Sequence, residues 1–151
     1  MTDKIMHIRV HPVVKKYIES RNDKSKHGIV IKDKKLKEEI ICYASIRTKK
    51  LPSKISKGFE QYKQIDILVN NWTFFQYGFD IAPYWQDRLS RKIYTQILDE
   101  IAARIEAYAA VGRSRIEAID DYYEKNNITY DELNPSTVIK HYQRHHQTNK
   151  Q

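Results

Sequence analysis

The chain carries a single cysteine, Cys42. That excludes an internal disulfide framework and a four-cysteine zinc site. No stretch approaches the roughly 18 consecutive apolar residues of a membrane span, and the N-terminus lacks the apolar run of a signal peptide. These absences lead to the expectation of a soluble, cytoplasmic protein with no membrane partner. The four glycines, at positions 28, 58, 78 and 112, lie far apart, so no glycine-rich loop can cradle a phosphate. Neither a Gly-x-Ser-x-Gly elbow nor a Cys–His nucleophile pattern is present. The expectation is a protein that is not an enzyme and needs no cofactor.

What the chain does have is positive charge, unevenly placed. Its 27 Lys and Arg against 19 Asp and Glu give a formal net charge of +8. Residues 1–58 hold 16 of those cations against 6 acids, so the excess belongs to the first third. Lys32, Lys34, Lys35 and Lys37 cluster there, followed by Arg47, Lys49, Lys50 and Lys54. Such clusters are suited to phosphates, through charge and counterion release. An ordinary lysine-rich surface exposed to water has the same composition. No apolar helical face accompanies the cations, which argues against a membrane-surface role.

Along the chain, Met6, Ile8 and Val10 alternate with Ile5, His7 and Arg9, the pattern of a strand. Pro12 then suits the first position of a helix whose apolar side is Val13, Val14, Tyr17 and Ile18. After a polar loop, Ile29–Ile31 reads as a short strand, and Asp33 as the cap of a helix carrying Leu36, Ile40 and Tyr43. Cys42 belongs to that helix and is expected to pack rather than react. Residues 47–58 look like a basic linker. A second alternating run holds Ile65, Ile67 and Val69, followed by the aromatic stretch from Trp72 to Tyr77 and a short run at Phe79–Ile81. From Pro83 the longest helical pattern begins: Trp85, Leu89, Ile93, Ile97, Ile101, Ile105 and Tyr108, stopped by Gly112. Residues 4–46 and 64–111 share the outline strand, helix or turn, strand, helix. With few matched identities, duplication and chance explain this equally well. In either case, strands 4–10 and 64–70 are candidates to pair in one sheet.

Beyond Gly112 the pattern predicts a helix over 113–126 with Ile116, Ile119 and Tyr123 inward, and a turn at Asn126-Asn127. Thr129-x-x-Glu132 matches a capping box and predicts a short helix ending near Leu133. Asn134 and Pro135 open a last helix held by Val138, Ile139 and Tyr142. Residues 135–151 contain no acid, and the outward face of this helix offers Thr137, Lys140, Gln143 and Arg144. These are residue types that touch base edges and phosphates in a groove. The order Ile119-x-x-Tyr122-(x5)-Ile128-(x4)-Leu133-(x5)-Ile139-x-x-Tyr142-x-Arg144 resembles the compact helix-turn-helix ends of small phage and mobile-element DNA-binding proteins. The resemblance spans about 35 residues and attaches to no named family. A plain helical cap with a solvated polar face answers the same pattern.

Two metal readings are set aside. Glu117, Asp121 and Glu124 share a helix face, but such rows are usually the solvated side of an amphipathic helix. His141 and His145 stand four apart, with His146 beside them. No Cys or carboxylate neighbours them in sequence and they lie against the chain end, which points to a flexible tail and no metal site.

The expected fold is therefore α+β and helix-dominated: a small antiparallel sheet, one long central helix and a C-terminal three-helix, helix-turn-helix-like segment. A core domain is expected over 1–112 and a helical segment over 113–151. The expected function is non-enzymatic binding of nucleic acid, DNA in the first place, with phosphate contacts from the basic first third and groove contacts from the last helix. Composition does not distinguish RNA bound through the same basic surface. The competing expectation is a structural or assembly protein of a phage or mobile element. It would form a homodimer or larger assembly through the long helix and the aromatic stretch.

Overall fold

The computed structural model describes residues 4–44, 61–69 and 81–149. The chain divides into two compact units, Met1–Lys92 and Ile93–Gln151.

In the first unit, strand β1 (Lys4–Val10) buries Met6, Ile8 and Val10, as the alternation predicts. Helix α1 (Pro12–Arg21) starts with Pro12, which has no N–H to leave unsatisfied, and His11 caps it by accepting the Val13 N–H at 3.1 Å. Its buried side is Val13, Val14, Tyr17 and Ile18, two adjacent positions repeated one turn later. Strands β2 (Asp23–Lys24) and β3 (Ile29–Val30) form a hairpin closed by the Ser25 N–H bonding to the Gly28 carbonyl at 2.8 Å. Helix α2 (Lys34–Ala44) is capped by Asp33 and buries Leu36, Ile40 and Ala44. Cys42 lies between the last two of these in sequence, half a turn off their face, and is exposed rather than packed.

Strand β4 (Lys63–Val69) pairs antiparallel with β1 over its whole length, Lys4 opposite Val69 through Val10 opposite Lys63. The sheet order is β1-β4-β3-β2. The sheet is mixed, not wholly antiparallel, because β3 runs parallel to β4 with Ile29 opposite Ile67. Helix α2 supplies the cause. It lies between β3 and β4 in the chain, and a strand–helix–strand crossover returns the chain to the same end of the sheet. Gly28 sits where a Cβ would stand 3.0 Å from the Asp66 carbonyl oxygen, so any larger residue there would press the hairpin and β4 apart by a few tenths of an ångström.

Helix α3 (Pro83–Ala110) is the long helix and spans both units. Leu89, Ile93, Ile97, Ile101 and Ile105 are all fully buried, as their spacing predicts. A residue every fourth position advances about 40° around the axis at each step. The apolar stripe therefore winds about the helix instead of running straight. Gly112, at φ +80°, ends it, and the Arg113 N–H turns back to the Tyr108 carbonyl at 2.8 Å.

The second unit joins the later part of α3 to helices α4 (Arg115–Asn126) and α5 (Pro135–Asn149). Ser114 caps α4 through the Glu117 N–H, and Asn127 closes it in the left-handed conformation at φ 56°. The buried side of α4 is Ala118, Ile119, Tyr122, Tyr123 and Asn126. Ile116, expected inward, is 48% exposed because that stripe passes to one side of it. The short helix expected at 129–133 is one turn only. Its capping box forms, with Glu132 accepting from the Thr129 N–H at 3.0 Å. Asn134 then opens α5 by accepting the Ser136 N–H at 2.9 Å, which leaves no room for a second turn. Three tyrosines tie these helices to α3. Tyr122 donates to Glu100 at 2.8 Å, Tyr142 to Glu106 at 2.7 Å, and Tyr108 on α3 donates to Asp121 at 2.6 Å.

Candidate nucleic-acid interface

In the first unit Lys32, Lys34, Lys35 and Lys37 are all exposed around the start of α2. Lys32 Nζ lies 3.7 Å from an Asp23 carboxylate that is itself exposed. Lys34, Lys35 and Lys37 have no carboxylate within ion-pairing distance among the described residues. The first turn of α2 contains no acid. Three ammonium groups at the positive end of a helix work against the helix itself, by about 0.3–1 kcal/mol each at an exposed site. Asp33 offsets part of this by capping Leu36. Other cations of this unit are engaged internally. Lys24 meets Glu19 at 2.7 Å, Arg9 donates to the Tyr62 carbonyl at 3.3 Å, and Lys92 lies 3.7 Å from Glu39. Arg47, Lys49, Lys50 and Lys54 lie outside the described residues.

In the second unit Thr137, Lys140, Gln143 and Arg144 are exposed on α5, opposite its buried Val138 and Tyr142. Thr137, Lys140 and Arg144 share a face at spacings of three and four, and Gln143 stands about 100° aside from Arg144. Behind that face the Glu106 carboxylate, by accepting a hydrogen bond from the phenol, holds the Tyr142 pKa above its ordinary value. The connection between α4 and α5 covers residues 127–134, longer than the 3–4-residue turn of a helix-turn-helix.

The histidines differ from expectation. His141 and His145 are on α5, not in a flexible tail, and Asp99 of α3 reaches them. His141 Nε2 is 2.7 Å and His145 Nε2 3.5 Å from the same Asp99 Oδ1. The two imidazoles stack at a tilt with centroids 4.3 Å apart. Asp99 is 42 residues upstream of His141, so no local window of sequence contains the cluster. The pair spacing was the only visible signal.

The two units differ in charge. Met1–Lys92 holds 20 Lys and Arg against 10 Asp and Glu, and Ile93–Gln151 holds 7 against 9. Among the described residues no helix is long and apolar enough to cross a membrane. No protein family, curated protein or solved structure matches this chain.

Proposed function

We propose that this protein binds nucleic acid, DNA in the first instance, through the basic surface of its first unit, and performs no chemistry on it. The observation that carries the reading is the set of uncompensated lysines at the start of α2. Lys34, Lys35 and Lys37 are exposed, oppose their own helix dipole and have no carboxylate within ion-pairing distance among the described residues, although Glu38 and Glu39 follow on the same helix. A polyanion relieves that repulsion and releases its own counterions as it does so. Lys32 stands beside them, and Arg47, Lys49, Lys50 and Lys54, which lie outside the described residues, add four further cations in the sequence that follows. On α5, Lys140 and Arg144 with Thr137 and Gln143 are proposed as groove contacts. Phosphate contacts position a protein on a duplex, whereas base contacts select the sequence.

The test is a salt-titrated mobility-shift assay on duplex DNA, with single-stranded RNA in parallel. Lys34→Glu with Lys35→Glu should weaken binding to every duplex alike and lower the slope of log K against log salt by about 2. Arg144→Ala should alter the preference among duplexes. Equal loss on every duplex would remove α5 from a reading role. A better RNA shift would reassign the polymer. Oligomers on gel filtration, with no shift at low salt, would overturn the reading in favour of an assembly protein.

A further inference from the structure

We propose that Asp99, His141 and His145 form a site for one divalent transition-metal ion of the imidazole-preferring kind, such as Zn²⁺, and that the ion clips α5 to α3. One ligand atom from each residue falls within 4.8 Å of the others. Two donors bound to a tetrahedral zinc at ~2.0–2.1 Å are about 3.3 Å apart. The separations from Asp99 Oδ1 to the two Nε2 atoms, 2.7 and 3.5 Å, bracket that value. To admit an ion, Asp99 Oδ1 and His141 Nε2 must part by about 0.6 Å, whereas the distance to His145 Nε2 changes by about 0.2 Å.

The scaffold suits the task. The two histidines are one helical turn apart on α5, which places both imidazoles on one face. Just inside them Tyr142 is anchored to Glu106, seven residues along α3 from Asp99, so the helices are already held together beside the site. Two imidazoles and one carboxylate form a donor set favoured by first-row transition ions, whereas Mg²⁺ and Ca²⁺ favour oxygen donors throughout. Without a metal, an Nε2–H must bridge to Asp99 Oδ1. With one, each neutral imidazole carries its proton on Nδ1 and turns the Nε2 lone pair inward. Three protein donors leave a fourth position for water, so the site is open on its solvent side. Asp99 is 51% and His145 57% exposed, which leaves the cluster accessible to an ion from solution.

The experiment uses the full chain stripped with a chelator and titrated with Zn²⁺ alone, followed by calorimetry and thermal melting. One ion per chain should bind, with a rise in Tm. Asp99→Asn and His145→Ala should each weaken binding by on the order of tenfold or more and shrink the Tm rise at a given Zn²⁺ concentration. Both side chains lie outside the core, and far-UV circular dichroism checks that the variants fold. Co²⁺ supplies a second readout, since four-coordinate Co²⁺ shows intense visible bands that should vanish in both variants. Failure to saturate at one ion, or equal affinity in the wild type and both variants, would overturn the proposal. Nucleic-acid binding is measured separately and is not required for either outcome.

Discussion

Replacing Asn22 by alanine should destabilise the first unit by about 3–4 kcal/mol. Asn22 follows the last residue of α1 and is 9% exposed. Its Nδ2 donates to the Ile18 carbonyl at 2.9 Å, one of the four that a helix end leaves unpaired. Its Oδ1 accepts two backbone N–H groups, from Lys32 at 2.8 Å and Asp33 at 3.2 Å. One amide thus ties the end of α1 to the residues that start α2. Alanine removes all three bonds. The Lys32 and Asp33 amides are half-buried, so water recovers part of their loss, at about 1 kcal/mol each net. The Ile18 carbonyl is more enclosed and is expected to cost 1–2 kcal/mol by the same scale. Urea denaturation followed by tryptophan fluorescence gives the answer, because Trp85 belongs to the first unit and the second unit contains no tryptophan. Asn22→Asp keeps the two accepted bonds but sets an anion against the Ile18 carbonyl at the negative end of α1, so it should lose less than alanine and regain stability on acidification. A loss below about 0.5 kcal/mol for Asn22→Ala, at unchanged m, would show that water replaces the amide fully and that Asn22 is no latch.

Two further outcomes concern the second unit. Burial raises the pKa of Tyr123, whose phenol donates to the Leu133 carbonyl at 2.8 Å, and carboxylate partners raise those of Tyr108 and Tyr142. A phenol held above its unfolded pKa of about 10 contributes stability fully below that pH and loses it as the pH climbs through the folded pKa. Alkaline unfolding followed by circular dichroism should therefore begin above about pH 10, and Tyr123→Phe should make that decline shallower while lowering stability at neutral pH. Asn127 occupies the left-handed region at φ 56°, so Asn127→Ala should cost about 1 kcal/mol more than Asn127→Gly in thermal melts.

Features that repeat within a turn or two were legible in the sequence. The four-residue spacing from Leu89 to Ile105 marked α3, the alternation of Met6, Ile8 and Val10 marked β1, and Asn134-Pro135 marked the start of α5. Features that depend on a distant partner were not. Ile116 has the right spacing from Ile119 but lies outside the stripe that Ala118, Tyr122 and Asn126 define. Thr129 and Glu132 form the bonds of a helix start without a helix, since the cap of α5 follows at once. Asn22 read as a loop residue, for its hydrogen-bonding partners include amides ten and eleven residues away. Asp99 stood in the middle of a long amphipathic helix, where nothing connected it to two histidines near the other end of the unit. Local pattern specifies which face of an element is buried; it does not specify against what.

The partition of charge gives the proposed nucleic-acid role a physical division of labour. With twice as many cations as acids in the first unit and slightly more acids than cations in the second, long-range attraction to a phosphate polymer comes from the first unit alone. Lys140 and Arg144 lie in a unit that carries no surplus of positive charge. Their contribution to encounter is small, and any role they have must come from contacts made at close range, where geometry and hydrogen bonding count for more than net charge. The salt dependence of binding should therefore follow substitutions in the first unit, and sequence preference should follow those on α5. A metal clip at Asp99, His141 and His145 would act on that second property alone, because fixing α5 against α3 changes how firmly its side chains are presented without altering the cations of the first unit.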